Sequence, residues 1–385
     1  MPVINSIAAQ AGELAHWRRD LHRWPEIGHD CHQTARFVAA RLRDFGADDI
    51  REGLAGTGIV ALIHGHEAGP AIGLRADMDA LPMAEETGLD HASLVPGAMH
   101  GCGHDGHTIM LLGAARYLAE TRNFAGTAAL IFQPAEEEGT GAAGMLASGV
   151  FEDLGLREIY ALHNYPGMAV GQFETTRGPI MAAVDTFEIH VDGQGGHGAK
   201  PHETADPVIA ACAIVQALQT IVSRNVHTLD KVVLSVTQIH SGSADNVIPS
   251  HAWINGTVRS FDRDVQALVR RRMAEVVAGQ AASFGVTARL DYVPGEPAAI
   301  NDPDCAVFAA HVAAEVGEAQ IREAPEMWGE DFSHFLDRIP GAFVFVGNGD
   351  SAALHHPRYD FNDEAAPYGA SFLARLIEEA LPLRG

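Results

Sequence analysis

The sequence predicts an α/β protein, with a mixed, largely parallel-sheet catalytic domain and an inserted ferredoxin-like α+β domain. In residues 1–183, and again in 299–385, helical segments alternate with short apolar runs, which is the pattern of a parallel sheet covered by helices. In residues 184–298 the strands instead alternate polar and apolar positions, as expected for an antiparallel sheet with one solvated face. A chain of 385 residues is also long enough for two domains.

The first part of the catalytic domain follows a regular order of helices and strands. An amphipathic helix is predicted at residues 7–22, because Pro25 cannot continue it. A second helix at 32–45 carries its apolar residues on one face. Strands are then predicted at 58–63, 71–75, 127–132 and 158–163, with helices at 105–120 and 141–149. The apolar runs lack polar alternation, which indicates strands buried on both faces.

The middle of the chain has a different order, strand-helix-strand-strand-helix-strand, which matches a ferredoxin-like sandwich. Its predicted elements are strands at 184–191, 232–239, 252–260 and 286–293, and helices at 207–223 and 264–283. After residue 300 helix and buried strand return, most clearly in the apolar run 342–346. The catalytic domain is therefore predicted to be discontinuous, with the middle segment inserted into it.

Composition restricts the partners and the compartment. The net charge is −24, with 50 acidic and 26 basic residues, which argues against binding to nucleic acids or to anionic membranes. The N-terminus lacks a basic and apolar signal, and no apolar run looks long enough to span a bilayer. Four cysteines are widely scattered, so we expect free thiols in a reducing compartment, the cytoplasm.

Two short segments carry metal-binding chemistry. Cys102 and His104 lie in a run of glycines and histidines, and the acidic triplet 136–138 directly follows the apolar strand predicted at 127–132. Soft sulfur, imidazole and hard carboxylate together suit a borderline metal such as zinc or manganese. A carboxylate beyond those that a metal needs can act as a general base for water.

Further histidines extend this set. His163 ends the strand predicted at 158–163, and His355 lies near the C-terminus. Segments that end a strand or begin a helix meet at the edge where open α/β sheets bind ligands. Five positions therefore become candidate metal ligands: Cys102, His104, Glu137, His163 and His355.

These motifs carry a resemblance to a known family. The matching segments are RADMDALP at 75–82, MHGCGHDGH at 99–107, FQPAEE at 132–137, GHGAKPH at 196–202, NVIP at 246–249, GTVR at 256–259, GEDF at 329–332 and HHP at 355–357. In this order, and over essentially the whole chain, they resemble the metal-dependent amidohydrolases of the aminoacylase and carboxypeptidase-G superfamily. The branch is that of hippurate hydrolases, auxin-conjugate hydrolases and N-acyl-L-amino-acid amidohydrolases.

The resemblance implies two divalent metal ions held by the five candidate ligands, with Cys102 bridging them and Glu136 as general base. Zinc, manganese, cobalt and nickel all tolerate this ligand mixture, so the sequence does not select one. The chain departs from the family at Glu138, where the family commonly has glycine. Alignment on the preceding residues 133–135 favours Glu136 and Glu137 as the two functional carboxylates.

The resemblance also assigns roles outside the ligand set. The family takes an imidazole for the oxyanion from the inserted domain, often from the partner subunit, which makes His197 the first candidate and His202 the second. It further implies that Asn246 and Arg259 hold the substrate carboxylate, and that the protein forms a homodimer or a dimer-based homo-oligomer. Asp79 is expected to orient a histidine ligand, with Asp77 and Asp105 as weaker candidates for the same role.

The expected reaction is hydrolysis of the amide bond of N-acyl amino acids with hippurate-like, N-acetyl or related acyl groups. Three alternatives stay open on sequence alone. A metallo-dipeptidase or exopeptidase would need a site for a free α-amino group. A catalytically silent, metal-dependent binding protein could use the same scaffold. A cysteine-nucleophile hydrolase would use Cys102 for attack, although the surrounding histidines and carboxylates suit a metal better.

Overall fold

The computed structural model describes residues 3–384; residues 1, 2 and 385, the outermost positions of the predicted ranges 1–183 and 299–385, lie outside the described residues. The chain divides into two compact units. The first consists of Met1–Ile180, Ile300–Pro325 and Asp331–Gly385, and the second of Met181–Ala299 and Glu326–Glu330.

The strands, numbered along the chain, are β1 (Asp49–Leu54), β2 (Gly58–His64), β3 (Glu67–Asp77), β4 (Ala125–Gln133), β5 (Leu156–Tyr165), β6 (Gln172–Thr175), β7 (Pro179–Met181), β8 (Ala183–Asp192), β9 (Gly196–His197), β10 (Val232–Ser241), β11 (Val247–Ile248), β12 (His251–Ser260), β13 (Thr287–Pro294), β14 (Ala299–Ile300), β15 (Glu318–Ile321) and β16 (Gly341–Gly347). The α-helices are α1 (Asn5–Ala9), α2 (Ala11–Arg23), α3 (His32–Phe45), α4 (His104–Thr121), α5 (Gly141–Leu146), α6 (Val150–Leu154), α7 (Pro207–Arg224), α8 (Arg263–Phe284), α9 (Pro303–Val316), α10 (Ser333–Leu336) and α11 (Ala366–Ala380). Two 3₁₀-helices cover Pro201–Glu203 and Asp363–Ala365.

The first unit is built on a mixed sheet in which the described strands follow the order β1-β2-β4-β3-β5-β16-β6-β15. Its central strands β4, β3, β5 and β16 run parallel to one another. Strand β2 pairs antiparallel with β1 and β4, and β6 pairs antiparallel with β16 but parallel with β15. The parallel core agrees with the predicted fold class, which is confirmed. Its strands β2, β4, β5 and β16 are almost wholly buried, as their continuous apolar runs predict.

Helix α4 lies at the centre of the first unit. Most of its length is buried, and it packs against α2, α3 and α11 within one apolar core. Because it begins at His104, the core fixes the start of this helix in place. His104 and His107 are thereby held on a buried helix, and Cys102 lies in the loop directly before it.

The observed elements differ from the predicted ones in the bounds of two helices and in three short strands. The helix predicted at 7–22 is interrupted at Gln10, and the one predicted at 141–149 ends early, before α6 begins after the left-handed Gly149. The short strands β1, β6 and β15 were not predicted. They are edge or peripheral strands with polar residues, so pairing with neighbouring strands, rather than local apolar pattern, defines them.

The second unit contains a four-stranded antiparallel sheet with the order β10-β12-β8-β13. With α7 after β8 and α8 after β12, this is the strand order of a ferredoxin-like fold. The helices cover one face of the sheet and enclose a separate apolar core. A small ribbon of β9 and β11 extends from the loops of this unit, and β7 pairs with β14 in another short ribbon.

Helix α7 is long and apolar enough to cross a membrane by length and composition alone, so the expectation that no apolar run has that length is wrong. Within the protein, 33% of this helix is buried. The buried face packs on the sheet of the second unit through Ala210, Ala211, Ile214, Leu218 and Ile221. A helix that packs on the core of a folded domain can have the same length and composition, so this feature is weak evidence for a membrane span.

Candidate metal centre

Three neighbouring strands of the first unit bring the predicted ligands together. Strand β3 lies between β4 and β5 and runs parallel to both. Asp79 follows β3, Glu136 and Glu137 follow β4, and His163 lies near the end of β5. Because the carboxyl ends of parallel strands share one edge of a sheet, these side chains converge there.

The acidic turn after β4 is held by Asp79. The backbone N–H groups of Glu136 and Glu137 donate to the Asp79 carboxylate oxygens at 3.1 and 3.2 Å. The preceding Ala135 has a φ of 55°, so the chain turns sharply before the two glutamates. Asp79 Oδ1 also lies 3.5 Å from Nδ1 of His104, beside the histidine that it was expected to orient.

Cys102 lies directly opposite His163. The Cys102 Sγ atom is 3.5 Å from His163 Nε2, and both residues are buried. His163 Nδ1 lies 2.7 Å from the backbone carbonyl oxygen of Asn164, which can only accept a hydrogen bond. Nδ1 therefore carries the proton, and the lone pair of Nε2 faces Cys102, which is the tautomer that a metal ligand needs.

His355 approaches from the C-terminal segment. Its backbone N–H donates to the carbonyl oxygen of Gly101 at 2.8 Å, and its φ of 61° places it in the left-handed region. Its Nε2 atom lies 3.4 Å from Oε1 of Glu137. The His355 side chain is 54% exposed, so the first unit is open to solvent on this side of the site.

The donor atoms form two groups that share one sulfur. Cys102, His104 and His163 have donor atoms within 4.8 Å of one another, and so do Cys102, Glu137 and His355. Glu136 belongs to neither of these groups but forms a further one with His104 and Glu137. Two groups of donors with Cys102 in common could together hold two divalent cations.

The electrostatics of the site favour cations. Burial opposes protonation of His104, but the carboxylates of Asp77, Asp79 and Glu137 outweigh it and raise the pKa of His104 to about 10. Burial, together with Glu137 and Glu136, holds the pKa of the Cys102 thiol well above its usual value. Without a cation the site thus retains a protonated imidazole and a protonated thiol among carboxylates.

Several candidate metal-ligand atoms make no hydrogen bond among the described residues. Both ring nitrogens of His104 and Oε1 of Glu137 are buried and make no hydrogen bond in the part of the chain that the structure describes, although Asp79 lies 3.5 Å from His104 and His355 lies 3.4 Å from that glutamate oxygen. Burial lowers the pKa of His163 well below its usual value, so this imidazole stays neutral and able to donate its lone pair. Orphaned buried atoms in a mixed sulfur, nitrogen and oxygen set fit divalent cations of the zinc or manganese type.

Two of the predicted substrate-site residues are neighbours in the second unit. His197 lies in β9 opposite Val247 of β11, and its ring is exposed. Its Nδ1 accepts a hydrogen bond from the backbone N–H of Ala199 at 3.1 Å, so in the neutral ring Nε2 carries the proton. The carbonyl oxygen of Asn246 accepts from Gly198 at 2.8 Å, which places Asn246 beside the His197 turn.

The other two lie elsewhere in the second unit. His202 is exposed in the 3₁₀-helix Pro201–Glu203. Arg259 is half-buried in β12, where its guanidinium donates to Thr257 Oγ1 and to the carbonyl oxygen of Val258. Burial lowers the pKa of Arg259. The roles of these residues toward a substrate stay predictions of the sequence.

Comparison with known proteins identifies the family. The family model described as peptidase family M20/M25/M40 matches residues 73–379, most of the chain. The chain belongs to this family. Every predicted site residue, in both units, falls within the matched segment.

Individual proteins similar to this chain over most of their length support its membership of the M20 family. The chain is 42% identical to N-acetyl-L-cysteine deacetylase of Bacillus subtilis (strain 168), over 92% of this chain and 85% of that protein. It is 37% identical to hippurate hydrolase of Campylobacter jejuni subsp. jejuni, over 98% of both chains. Its fold is similar to the crystal structure of Bacillus subtilis YXEP protein, described as a dinuclear metal-binding peptidase of the M20 family, with a TM-score of 0.87, 36% identity, and 97% and 99% of the two chains covered.

A buried network beneath this M20 site was not predicted from the sequence. Arg75 donates to Asp77 at 2.7 Å and to Asp331 at 3.1 Å, and Asp77 Oδ1 lies 2.6 Å from Nδ1 of His107. His107 occurs in the 99–107 motif three residues after His104, so helical spacing could have placed both on one face of α4. Nothing in the local sequence indicates that Asp331, more than 250 positions away, completes the network.

Proposed function

We propose that this chain hydrolyses the amide bond of N-acyl amino acids and releases a carboxylate and a free amino acid. The observation that carries the proposal is the sharing of Cys102 by two groups of donor atoms, with Glu136 beside them and outside both. Family membership supports a hydrolase, and relatives are named for N-acetyl-L-cysteine and hippurate, both of which are N-acyl amino acids.

Two divalent ions would be held by the two groups of donors that share Cys102. Such ions, when bound, polarise a carbonyl oxygen and lower the pKa of a water molecule. The five side chains that would hold them are Cys102, His104, Glu137, His163 and His355. Zinc, manganese, cobalt and nickel all remain compatible with this mixture of donors.

Glu136 takes the role of general base in this proposal. Its side chain is 12% exposed and lies 3.9 Å from His104 Nε2, and Asp79 holds the backbone of the turn that carries it. A carboxylate so placed can accept the proton of the attacking water and deliver it to the leaving nitrogen. Asp79 supports this role indirectly. Its two carboxylate oxygens accept hydrogen bonds from the backbone N–H groups of Glu136 and Glu137 and so hold the turn that carries both side chains.

The second unit would contribute the groups that bind the substrate. His197 is proposed to donate its Nε2 proton to the oxygen that becomes negative in the tetrahedral intermediate, with His202 as the second candidate. Asn246 and Arg259 are proposed to bind the substrate carboxylate, Arg259 as a two-pronged donor. The protonation of His197 at Nε2, implied by its bond to Ala199, supports the first assignment.

We further propose that the protein is a homodimer joined through the second unit. Strand β10 is at an edge of the four-stranded sheet, and its exposed half carries Ile239 at 48% exposure. The outer face of α7 exposes Ile209 at 54%. An unpaired strand edge beside apolar side chains can pair with a second copy about a twofold axis.

The dimer has a direct test. Sedimentation velocity of the wild type should give twice the chain mass of 41.0 kDa. Ile239→Lys should shift the protein toward the monomer, whereas Val293→Lys on the opposite edge strand β13, which is also exposed, should leave the dimer intact. A monomeric wild type would exclude the proposal.

We also propose a cytoplasmic location, supported by the scattered, unpaired cysteines.

The activity is tested with a substrate panel: N-benzoylglycine, several N-acetyl amino acids, an indole-acyl amino acid and a few dipeptides. Each is assayed with the protein as purified, after chelation, and with manganese, zinc or cobalt restored. We expect metal-dependent release of amino acid from the acyl substrates. Cleavage of dipeptides alone would instead assign an exopeptidase. Silence with full metal loading would contradict the proposed substrate class and reopen the alternative of a metal-dependent binding protein.

A further inference from the structure

We propose that Asn164 is a positioning residue of the metal centre, whose buried side-chain amide sets the separation between Cys102 and His163. The proposal rests on the metal-dependent function above, because the ligands of that function are what Asn164 would position. Asn164 directly follows His163 in β5 and is fully buried. Its amide does not reach the reacting atoms, so it would act only through its neighbours.

Every hydrogen-bonding group of the Asn164 amide is used. Nδ2 donates to the carbonyl oxygen of Cys102 at 2.6 Å and lies 3.0 Å from Nε2 of His107. Oδ1 accepts from the hydroxyl of Tyr359 at 2.7 Å. Because the carbonyl of Cys102 can only accept, the atom that faces it must be the nitrogen, and this fixes the orientation of the amide. One side chain thus joins the Cys102 loop, α4 and the C-terminal segment that carries His355.

His107 holds this amide from below. The backbone N–H of Asn164 also donates to His107 Nε2, at 3.0 Å, so Nε2 must carry a lone pair and Nδ1 the proton directed at Asp77. Burial lowers the pKa of His107, in agreement with a neutral ring. The ring also packs on that of His163, with centroids 4.3 Å apart. Asp77, His107 and Asn164 therefore form one hydrogen-bonded chain beneath the ligand His163.

The glycine between the two ligands Cys102 and His104 lies directly on this amide. Gly103 has a φ of 90°, and a Cβ atom added there would be 2.3 Å from Asn164 Nδ2 and 2.4 Å from the Tyr359 hydroxyl. Close packing of this kind transmits a displacement of one group to the next. A change at Asn164 should therefore move the backbone of Cys102 relative to His163, whose Nε2 lies 3.5 Å from Sγ.

The test replaces the amide without changing its volume much. Asn164→Leu removes all hydrogen bonds of the side chain, whereas Asn164→Asp keeps the shape but has no side-chain N–H groups for Cys102 and His107. The backbone N–H that donates to His107 is kept in both variants. Cobalt(II) is titrated into the chelated full-length protein, and the thiolate-to-cobalt absorption band and the metal affinity are measured. We expect both variants to bind cobalt about 10- to 100-fold more weakly than the wild type, with a displaced or weakened thiolate band.

Asn301→Asp is the matched control. Asn301 is an equally buried amide of the first unit; its Nδ2 donates to Thr175 and Thr176, and its Oδ1 accepts from the backbone of Phe343. It makes no hydrogen bond to any of the five ligands. We expect its replacement to lower the thermal stability while leaving the cobalt spectrum and affinity unchanged. Tyr359→Phe, which removes only the hydroxyl bonded to Asn164, should fold and should weaken cobalt binding less than the Asn164 variants do.

The outcomes separate this inference from the proposed function. A wild type that takes up no cobalt overturns the metal-dependent function itself. A wild type that binds cobalt while folded Asn164 variants keep its affinity and spectrum overturns the positioning role. An equal loss in Asn301→Asp overturns it as well, because the effect would then be general destabilisation. If neither Asn164 variant folds, unchanged cobalt binding in Tyr359→Phe overturns the inference.

Discussion

At the scale of single residues, the acidic triplet after β4 separates into three different environments. Glu137 Oε1 is buried 3.4 Å from His355 Nε2, Glu136 lies 3.9 Å from His104 Nε2, and Glu138 is exposed. Only two of the three carboxylates therefore face the donor atoms of the site. Glu138 adds a charge at the surface, and the roles of Glu136 and Glu137 stay predictions of the sequence.

Glu136→Gln should leave the metal content and the fold unchanged but lower kcat by about 10²- to 10⁴-fold, because the amide cannot accept the proton of water. Turnover of an N-acyl amino acid and metal analysis of the same preparation measure this. Glu138→Gln is the matched control in the same turn and should turn over at nearly the wild-type rate. Near-wild-type turnover of Glu136→Gln would remove this residue as the base.

The buried His22 predicts a pH-dependent stability. Its Nδ1 lies 2.7 Å from Asp105 and its Nε2 lies 3.4 Å from Glu85. Burial lowers its pKa, but the two carboxylates outweigh burial and raise the pKa of His22 to about 9, above the ordinary 6.5. Because the folded-state pKa is the higher one, this stabilisation is complete below pH 6.5 and is lost as the pH rises through about 9.

Unfolding in urea at about pH 6 and about pH 9.5, with chelator present, tests this prediction. His22→Gln should reduce the free energy of unfolding by on the order of 2 kcal/mol at the lower pH and by much less at the higher. His16→Gln, which removes an exposed histidine 3.3 Å from Asp20, should change little at either pH. Equal losses for His22→Gln at both values would contradict the assignment.

At the scale of elements, the ends of β3, β4 and α5 are joined by one buried carboxylate. Asp331 accepts hydrogen bonds from Arg75, from the amide of Gln133 and from the backbone N–H of Ala142 in the first turn of α5. These partners come from three separate elements, so the carboxylate fixes the sheet edge relative to α5. The acidic turn that carries the glutamates lies between Gln133 and Ala142 in the chain.

Asp331→Ala should lower the free energy of unfolding by about 3–5 kcal/mol, because Arg75 loses a buried carboxylate partner. Glu152→Ala, which removes an exposed ion pair to Arg338 at 3.6 Å, should cost at most about 1 kcal/mol. Denaturant titration of both chelated variants gives the comparison. A loss at Asp331 as small as that at Glu152 would show that the network is not needed to hold these elements.

At the scale of the whole molecule, the donor atoms of the proposed metal site all belong to the first unit. Metal binding is therefore linked to the folding of that unit. A cation that binds only the folded state stabilises it by about 2.7 kcal/mol for each site when its free concentration is 100 times Kd. The second unit has its own apolar core and supplies none of these donors.

Chelation should therefore lower the thermal midpoint, and added manganese or zinc should restore it. Hydrogen exchange followed by mass spectrometry should locate the metal-dependent protection in segments 99–107, 133–141 and 161–165 of the first unit. Peptides from α7 and α8 serve as the internal control, and their exchange should change little. If metal binding raised the protection from hydrogen exchange equally in both units, the assignment of all five metal ligands to the first unit would be contradicted.

The sequence by itself determined the elements with strong local signals. The apolar runs of β2, β4, β5 and β16 and the amphipathic α3 carry their own pattern, and the ligand motifs bear chemistry that few folds need for other reasons. Short strands such as β1 and β15 were not predicted, because hydrogen bonding to a neighbouring strand, and not the local sequence preference, holds them in the extended conformation.

Only the tertiary structure decided which donors meet. Cys102 and His355 are far apart in the chain, yet the strand order and the path of the C-terminal segment place both within reach of Glu137. The sharing of one sulfur by two groups, and the joining of Cys102 to His163 through Asn164, depend on distances of 2.6–3.5 Å. Local sequence specifies conformation over a few residues, whereas such distances follow from the packing of segments that only the folded chain brings together.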